Sequence, residues 1–208
     1  VDVFYYHFGF HTLAATLTLG AGVSAPTSVL WAGQALSALA PLGAFLLALP
    51  AVRSRIAAVA AAAVPATLFT YPAYFVSWSR YTQLAGLVVL PIAWVLLAEG
   101  VERRPSRSSL LLAGLAAGGL TMVHYRVAVL FAVGAALWVL YAGLRHPREA
   151  GALGARSVAV AVVGLVAAGP WLTQRFVEGP HAVEVPPLGD QPQDFQLAQA
   201  QRLGHCGF

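Results

Sequence analysis

Three short clusters hold most of the side chains able to do chemistry: YYHFGFH (Tyr5 to His11), SWSRYTQ (Ser77 to Gln83) and HYR (His124 to Arg126). In the first, His7 and His11 stand four residues apart, so on a helix they share one face. That spacing suits a metal pair, yet no glutamate follows His7 as in an HExxH zinc site, and no third ligand lies nearby in the chain. The competing reading is interfacial anchoring, since aromatic residues and histidines gather at headgroup level. It accounts well for Phe4, Tyr5, Tyr6 and Phe8, and less well for a His11 followed by threonines. In the other two clusters the chemistry is cationic. Arg80 lies between two apolar runs with almost no loop, and His124 and Arg126 end one run and start the next. An ionisable group costs about 2.5–3.5 kcal/mol at the centre of a membrane helix and marks a functional site by default. The alternative is that Arg80 snorkels to the interface while Trp78 and Tyr81 anchor there. Two such turns, each pairing an arginine with a tyrosine, would serve an anionic ligand such as a phosphate through two guanidinium forks.

The elements that must position these clusters are apolar. Of the 208 residues 59% are hydrophobic and 10% charged, with mean hydropathy +0.72, against about 25% charged in soluble domains. The expected fold is all-α, a polytopic transmembrane helix bundle in a lipid bilayer. A helix needs roughly 20 apolar residues to cross about 30 Å of hydrocarbon. Residues 29–52 and 56–78 exceed that, and 81–98, 109–123, 127–144 and 157–172 approach it, which predicts six spans. Pro65, Pro72 and Pro91 fall inside these stretches and are expected to kink helices rather than break them. Residues 8–23 carry His11, Thr12, Thr16 and Thr18 and run into the breaker SAPTS. They are expected as an interfacial helix at the outer face, with a polar stripe of His7, His11 and Thr18. Residues 1–171 thus read as one transmembrane module. The Pro-, Gln- and Gly-rich segment 173–208 reads as an extracytoplasmic loop or the truncated start of a C-terminal region. The chain opens on Val1 with no signal-peptide charge pattern and reads as a piece of a longer membrane protein, lacking at least an N-terminal span.

Arginine placement sets the sidedness. With six spans and a non-crossing 8–23, Arg53, Arg55, Arg103, Arg104, Arg107, Arg145, Arg148 and Arg156 lie on one side and Arg80, Arg126, Arg175 and Arg202 on the other. The positive-inside rule makes the first set cytoplasmic, so all three clusters face outside. The net charge of +4 then reflects membrane orientation and attraction to anionic headgroups rather than a nucleic-acid partner. A lone Cys206 excludes an intramolecular disulfide framework. No phosphate-binding loop, GxSxG elbow, kinase or dinucleotide fingerprint occurs, and the glycines of Ala113–Gly119 read as helix-packing residues.

The order of these features resembles the polyprenyl-phosphate-dependent glycosyltransferases of the GT-C superfamily, to which protein O-mannosyltransferases and lipid A aminoarabinose transferases belong. DVFYYHFGFHTLAA followed by SVLWAGQALSALAPLGAFLLALPAVRSR is similar to the superfamily's first outer loop, interfacial helix and following span. PAYFVSWSRYTQLAGLVVLP resembles the next hairpin, and LLAGLAAGGLTMVHYRVAVLF the one after it. The proline pair typical of mannosyltransferases is replaced here by HFGF. The resemblance covers most of 1–171 and implies a bacterial branch in the inner membrane, with the site facing outside. It implies transfer of a sugar, with inversion, from a polyprenyl-phosphate donor to a glycan, lipid or protein acceptor. Asp2, the only acid before Glu99, would be the general base. Arg80, Arg126 and His124 would bind the donor phosphate and stabilise it as leaving group. His7, His11, Tyr6, Tyr81, Gln83 and Tyr125 would contact acceptor or substrate, with His7 and His11 the candidates for holding a divalent metal ion. Two other classes compete: a transporter or flippase of a lipid-linked or anionic substrate, which needs polar groups at mid-membrane, and a non-catalytic membrane subunit whose aromatic clusters are anchors.

Overall fold

A computed structural model describes residues 8–67, 71–103 and 105–176. Among them the fold is all-α, without a strand: α1 (Phe8–Ala21), α2 (Ala25–Val52), α3 (Arg55–Thr67), α4 (Ala73–Ser77), α5 (Tyr81–Ala98), α6 (Arg107–Val123), α7 (Tyr125–Arg145) and α8 (Ala150–Phe176). A π-helical turn, Glu99–Arg103, prolongs α5. Among the described residues four helical segments, Ala25–Val52, Tyr81–Arg103, Tyr125–Arg145 and Ala150–Thr173, are long and apolar enough to cross a membrane. The chain is a helical membrane protein. Its many exposed leucines and valines, Leu137 at 62% and Val166 at 72% among them, are the outer surface of a bundle solvated by lipid tails rather than water.

Local chemistry sets the helix ends. Ser24 accepts from the Thr27 N–H and a proline follows at the start of α2, a site where the missing N–H costs nothing. Ser106 and Ser109 form a reciprocal capping box at the start of α6. Arg53, in a left-handed conformation (φ 50°), closes α2, and its N–H donates to the Leu49 carbonyl.

The expected helices 81–98, 109–123 and 127–144 coincide with α5, α6 and α7 to within two residues. Two differences stand out. The stretch 56–78, expected as one kinked helix, is divided: α3 ends at Thr67 and Pro72 stands at the start of the short α4. Pro65 and Pro91 are accommodated inside α3 and α5, whereas Pro72, which has no N–H to give to a helical ladder, stands buried at the N-cap of α4. At the other end, α8 begins at Ala150, ahead of the expected start at 157, since the helix-favouring Ala150, Ala152, Leu153, Ala155 and Arg156 carry it across the arginine-rich connector, and it runs through Phe176, past the expected boundary near 172. The rest of the C-terminal segment, including Cys206, lies outside the described residues.

Close contacts fix the helix directions. Gly33 of α2 meets the Tyr81 ring and Gly43 meets Pro91, so α2 and α5 run parallel. Gly100 lies against Ser109, and Gly86 against His124 and Val127, so α6 returns antiparallel to α5. Trp94 of α5 meets Phe131 edge-on at 5.3 Å and lies against Gly134, which makes α7 parallel to α5. Gly114 and Gly118 pack on Val163, Gly164 and Ala167, which makes α8 parallel to α6. The ends of α2, α5 and α7 and the starts of α6 and α8 therefore share one pole. Arg53, Arg55, Arg103, Arg107, Arg145 and Arg148 belong to it, and the Arg156 guanidinium donates to the Val101 carbonyl at 3.0 Å across it.

Candidate functional site

The opposite pole collects the chemistry-bearing turns, and a small apolar core holds them there. Phe10 of α1 (2% exposed) stacks on Tyr81 at 5.4 Å, within a cluster that includes Ala32, Leu36 and Leu84. Val123, Tyr71, Phe75 and Val76 pack around it. Gly9 touches Val123 so closely that a Cβ there would overlap its side chain. One knot of packing thus joins the start of α1, the α4–α5 turn and the α6–α7 turn. Farther along α1, the Thr18 hydroxyl donates to the buried Ser28 hydroxyl at 2.8 Å and ties the helix to α2. At 14 residues α1 is about 21 Å long, short of the hydrocarbon thickness of about 30 Å.

Within this pole the expected site residues divide by exposure. His11 is exposed and meets the Phe10 ring edge-on at 5.7 Å. Arg80 is exposed, with its guanidinium 5.7 Å from the centre of the Tyr74 ring, and Tyr74 in turn lies beside Trp78. Arg126 is exposed; its Nε donates to the Tyr125 hydroxyl at 3.0 Å, and the guanidinium lies over that ring. His124 is 7% exposed, its ring parallel to that of Tyr125 and its Cβ against Gly86. Gln83 is half-buried. Tyr81, expected to contact substrate, is 9% exposed, because its ring fills the space between Phe10 and Gly33. Asp2, Tyr6 and His7 lie outside the described residues. Among the described residues no group of three metal-ligating side chains occurs.

The electrostatics of the two arginine turns are unusual. α5 and α7 run parallel and both begin at this pole, where each helix carries its partial positive charge. Arg80 occupies the N-cap of α5, and Arg126 is the second residue of α7; neither first turn carries an acid. A cation at that end is unfavourable by about 0.3–1 kcal/mol, and an anion is favoured by a similar amount. The described acids, Glu99, Glu102 and Glu149, all lie toward the opposite pole, where Glu99 pairs with Arg103 at 3.5 Å. Two helix starts and two guanidiniums therefore favour a negative group at the same end of the molecule. Sequence reasoning found both arginines but not this helix-end placement, which depends on α5 and α7 sharing a direction.

A cavity of about 730 Å³ lies elsewhere, between α7 and α8, and none of the described site residues lines it. Its walls are mainly alanine, valine and leucine.

No curated protein and no solved structure matches this sequence. A family model does, over residues 2–196, with the description "Family of unknown function (DUF6541)". With nearly the whole chain matched, the protein belongs to the DUF6541 family.

Proposed function

We propose that this protein is an integral membrane glycosyltransferase of the GT-C kind, moving a sugar from a polyprenyl-phosphate donor to an acceptor at the outer face of a bacterial inner membrane. The observation that supports this reading is the cationic start of two parallel helices at the pole where the start of α1 meets the two arginine turns. Arg126, with the start of α7 behind it, is suited to hold a lipid-linked phosphate and to stabilise the charge that builds on it as the sugar departs. Arg80 at the start of α5 supplies a second positive group at that pole. His124, pinned between Gly86 and Tyr125, is a positioning residue for the α6–α7 turn and so for Arg126. Asp2 is the candidate base for the attacking hydroxyl, and His11, exposed beside Phe10, a candidate for orienting the acceptor.

The test uses the full open reading frame, purified and supplied with polyprenyl-phosphate sugars. Arg126→Ala is expected to lower turnover by about 10²-fold, the scale of losing one charge-stabilising donor, with partial recovery in Arg126→Lys. Asp2→Asn is expected to abolish transfer while leaving donor binding intact. Wild-type transfer in both Asp2→Asn and Arg126→Ala would sink the assignment.

A further inference from the structure

The cavity between α7 and α8 has a shape that the transfer chemistry does not use. Ala128, Ala132 and Ala135 line it from α7, and Gly154, Ala161 and Leu172 from α8. Its two hydroxyls are already engaged within their own helices: Thr121 donates to the Ala117 carbonyl at 3.1 Å and Ser157 to the Leu153 carbonyl at 2.8 Å. With both protons committed and alanine, valine and leucine around them, the cavity suits an apolar ligand, and its open side would admit a hydrocarbon chain from the bilayer. From Gly154 to Leu172 the α8 wall extends roughly 27 Å at the helical rise, close to the full hydrocarbon depth of about 30 Å.

One end of this cleft lies under the cationic turn. Tyr125 is three residues before Ala128 and seven before Ala132, so it shares the α7 face that lines the cleft. Its hydroxyl accepts from the Arg126 Nε and draws that guanidinium over its ring. Charge complementarity at this mouth selects an anionic head. Length selects the tail: an acyl chain of a bilayer phospholipid reaches only to mid-membrane, about 15 Å, and would leave the far half of the cleft empty.

We infer that the α7–α8 cleft seats the long isoprenoid chain of a lipid phosphate whose head lies at Arg126 and Tyr125. This rests on the reading of Arg126 as the phosphate-binding group and adds the seat of the chain. Binding is measured by native mass spectrometry of the full-length protein in micelles, with undecaprenyl phosphate, farnesyl phosphate, undecaprenol and phosphatidylglycerol as probes. Undecaprenyl phosphate is expected to bind at least about tenfold more tightly than farnesyl phosphate and than phosphatidylglycerol. Ala132→Trp and Ala161→Trp, which fill the cleft from exposed alanines, are expected to remove that preference. Leu130→Trp, on the other side of α7, should leave it unchanged and controls for folding.

Equal binding of the long and short phosphates, or wild-type binding by Ala132→Trp, overturns the seat and leaves the head group's site standing. Phosphatidylglycerol binding as tightly as undecaprenyl phosphate, and lost in Ala132→Trp, overturns the choice of occupant. Undecaprenol binding as well as its phosphate, with Arg126→Ala silent and Ala132→Trp still weakened, overturns the reading of Arg126 and with it the proposed head.

Discussion

The two sides of α8 solve opposite problems with almost the same residues. Toward α6, Gly114, Gly118 and Gly164 let two backbones approach until a Cβ on Gly118 would stand 2.7 Å from the Gly164 carbonyl oxygen. Toward α7, the face bearing Ala161 and Ala168 borders an open cleft instead. Lipid tails are as apolar as the side chains, so helix association in a membrane comes from close packing rather than from escape from solvent. Where glycines let the backbones meet, the contact is tight; Gly164 stands at the edge between that interface and the groove. That lesson makes the α6–α8 contact the structural spine of this pole-to-pole bundle and the α7–α8 face its adaptable part.

The comparison breaks most clearly at Gly118. Gly118→Leu would push against the Gly164 carbonyl and the Ala167 Cβ, neither of which is the far end of a flexible side chain, and should destabilise by about 3 kcal/mol, read as SDS-induced unfolding in micelles or as loss of folded protein on size exclusion. Next comes Arg156→Ala, which removes the guanidinium from the Val101 carbonyl and unlinks α8 from the π-helical turn. For a half-exposed charged hydrogen bond a loss of about 1–2 kcal/mol is expected in the same assay. Thr18→Val, which breaks the hydroxyl bridge to Ser28, should cost about 0.6 kcal/mol, the usual worth of a hydrogen bond between membrane helices. Ala161→Leu, one turn from Gly164 but facing the cleft, should change stability by no more than about 0.5 kcal/mol. If Ala161→Leu proved as damaging as Gly118→Leu, the distinction between the two faces of α8 would be wrong.

Much of the fold was legible because length and apolar composition suffice to place membrane helices: Tyr81–Ala98 was readable to the residue. The packing role of the glycines near Gly114 and Gly118 was legible too, from their spacing on one helix. The break at Pro72 was not, because whether a proline kinks or ends a helix depends on neighbours that re-satisfy the backbone. At the site, the arginine and histidine turns could be picked out by the cost of charge near membrane depth. The burial of Tyr81 could not, since its ring is covered by Phe10 and Gly33, both distant in sequence. Nor could the cleft, which exists only because α6 and α8 pack together and leave α7 to one side.

His124 is the whole connection between α6 and α7: a single extended residue (φ −162°, ψ 104°) whose N–H donates to the Leu120 carbonyl and whose carbonyl accepts from the Ala128 N–H. The corner therefore works as a gauge of length. An α-helix turns by about 100° per residue, so inserting or deleting one residue here would turn α7 as a whole relative to α6, carrying Tyr125 and Arg126 with it, while leaving every amino-acid type beside it in place. Chain count at this corner is as strict a requirement as any side chain beside it.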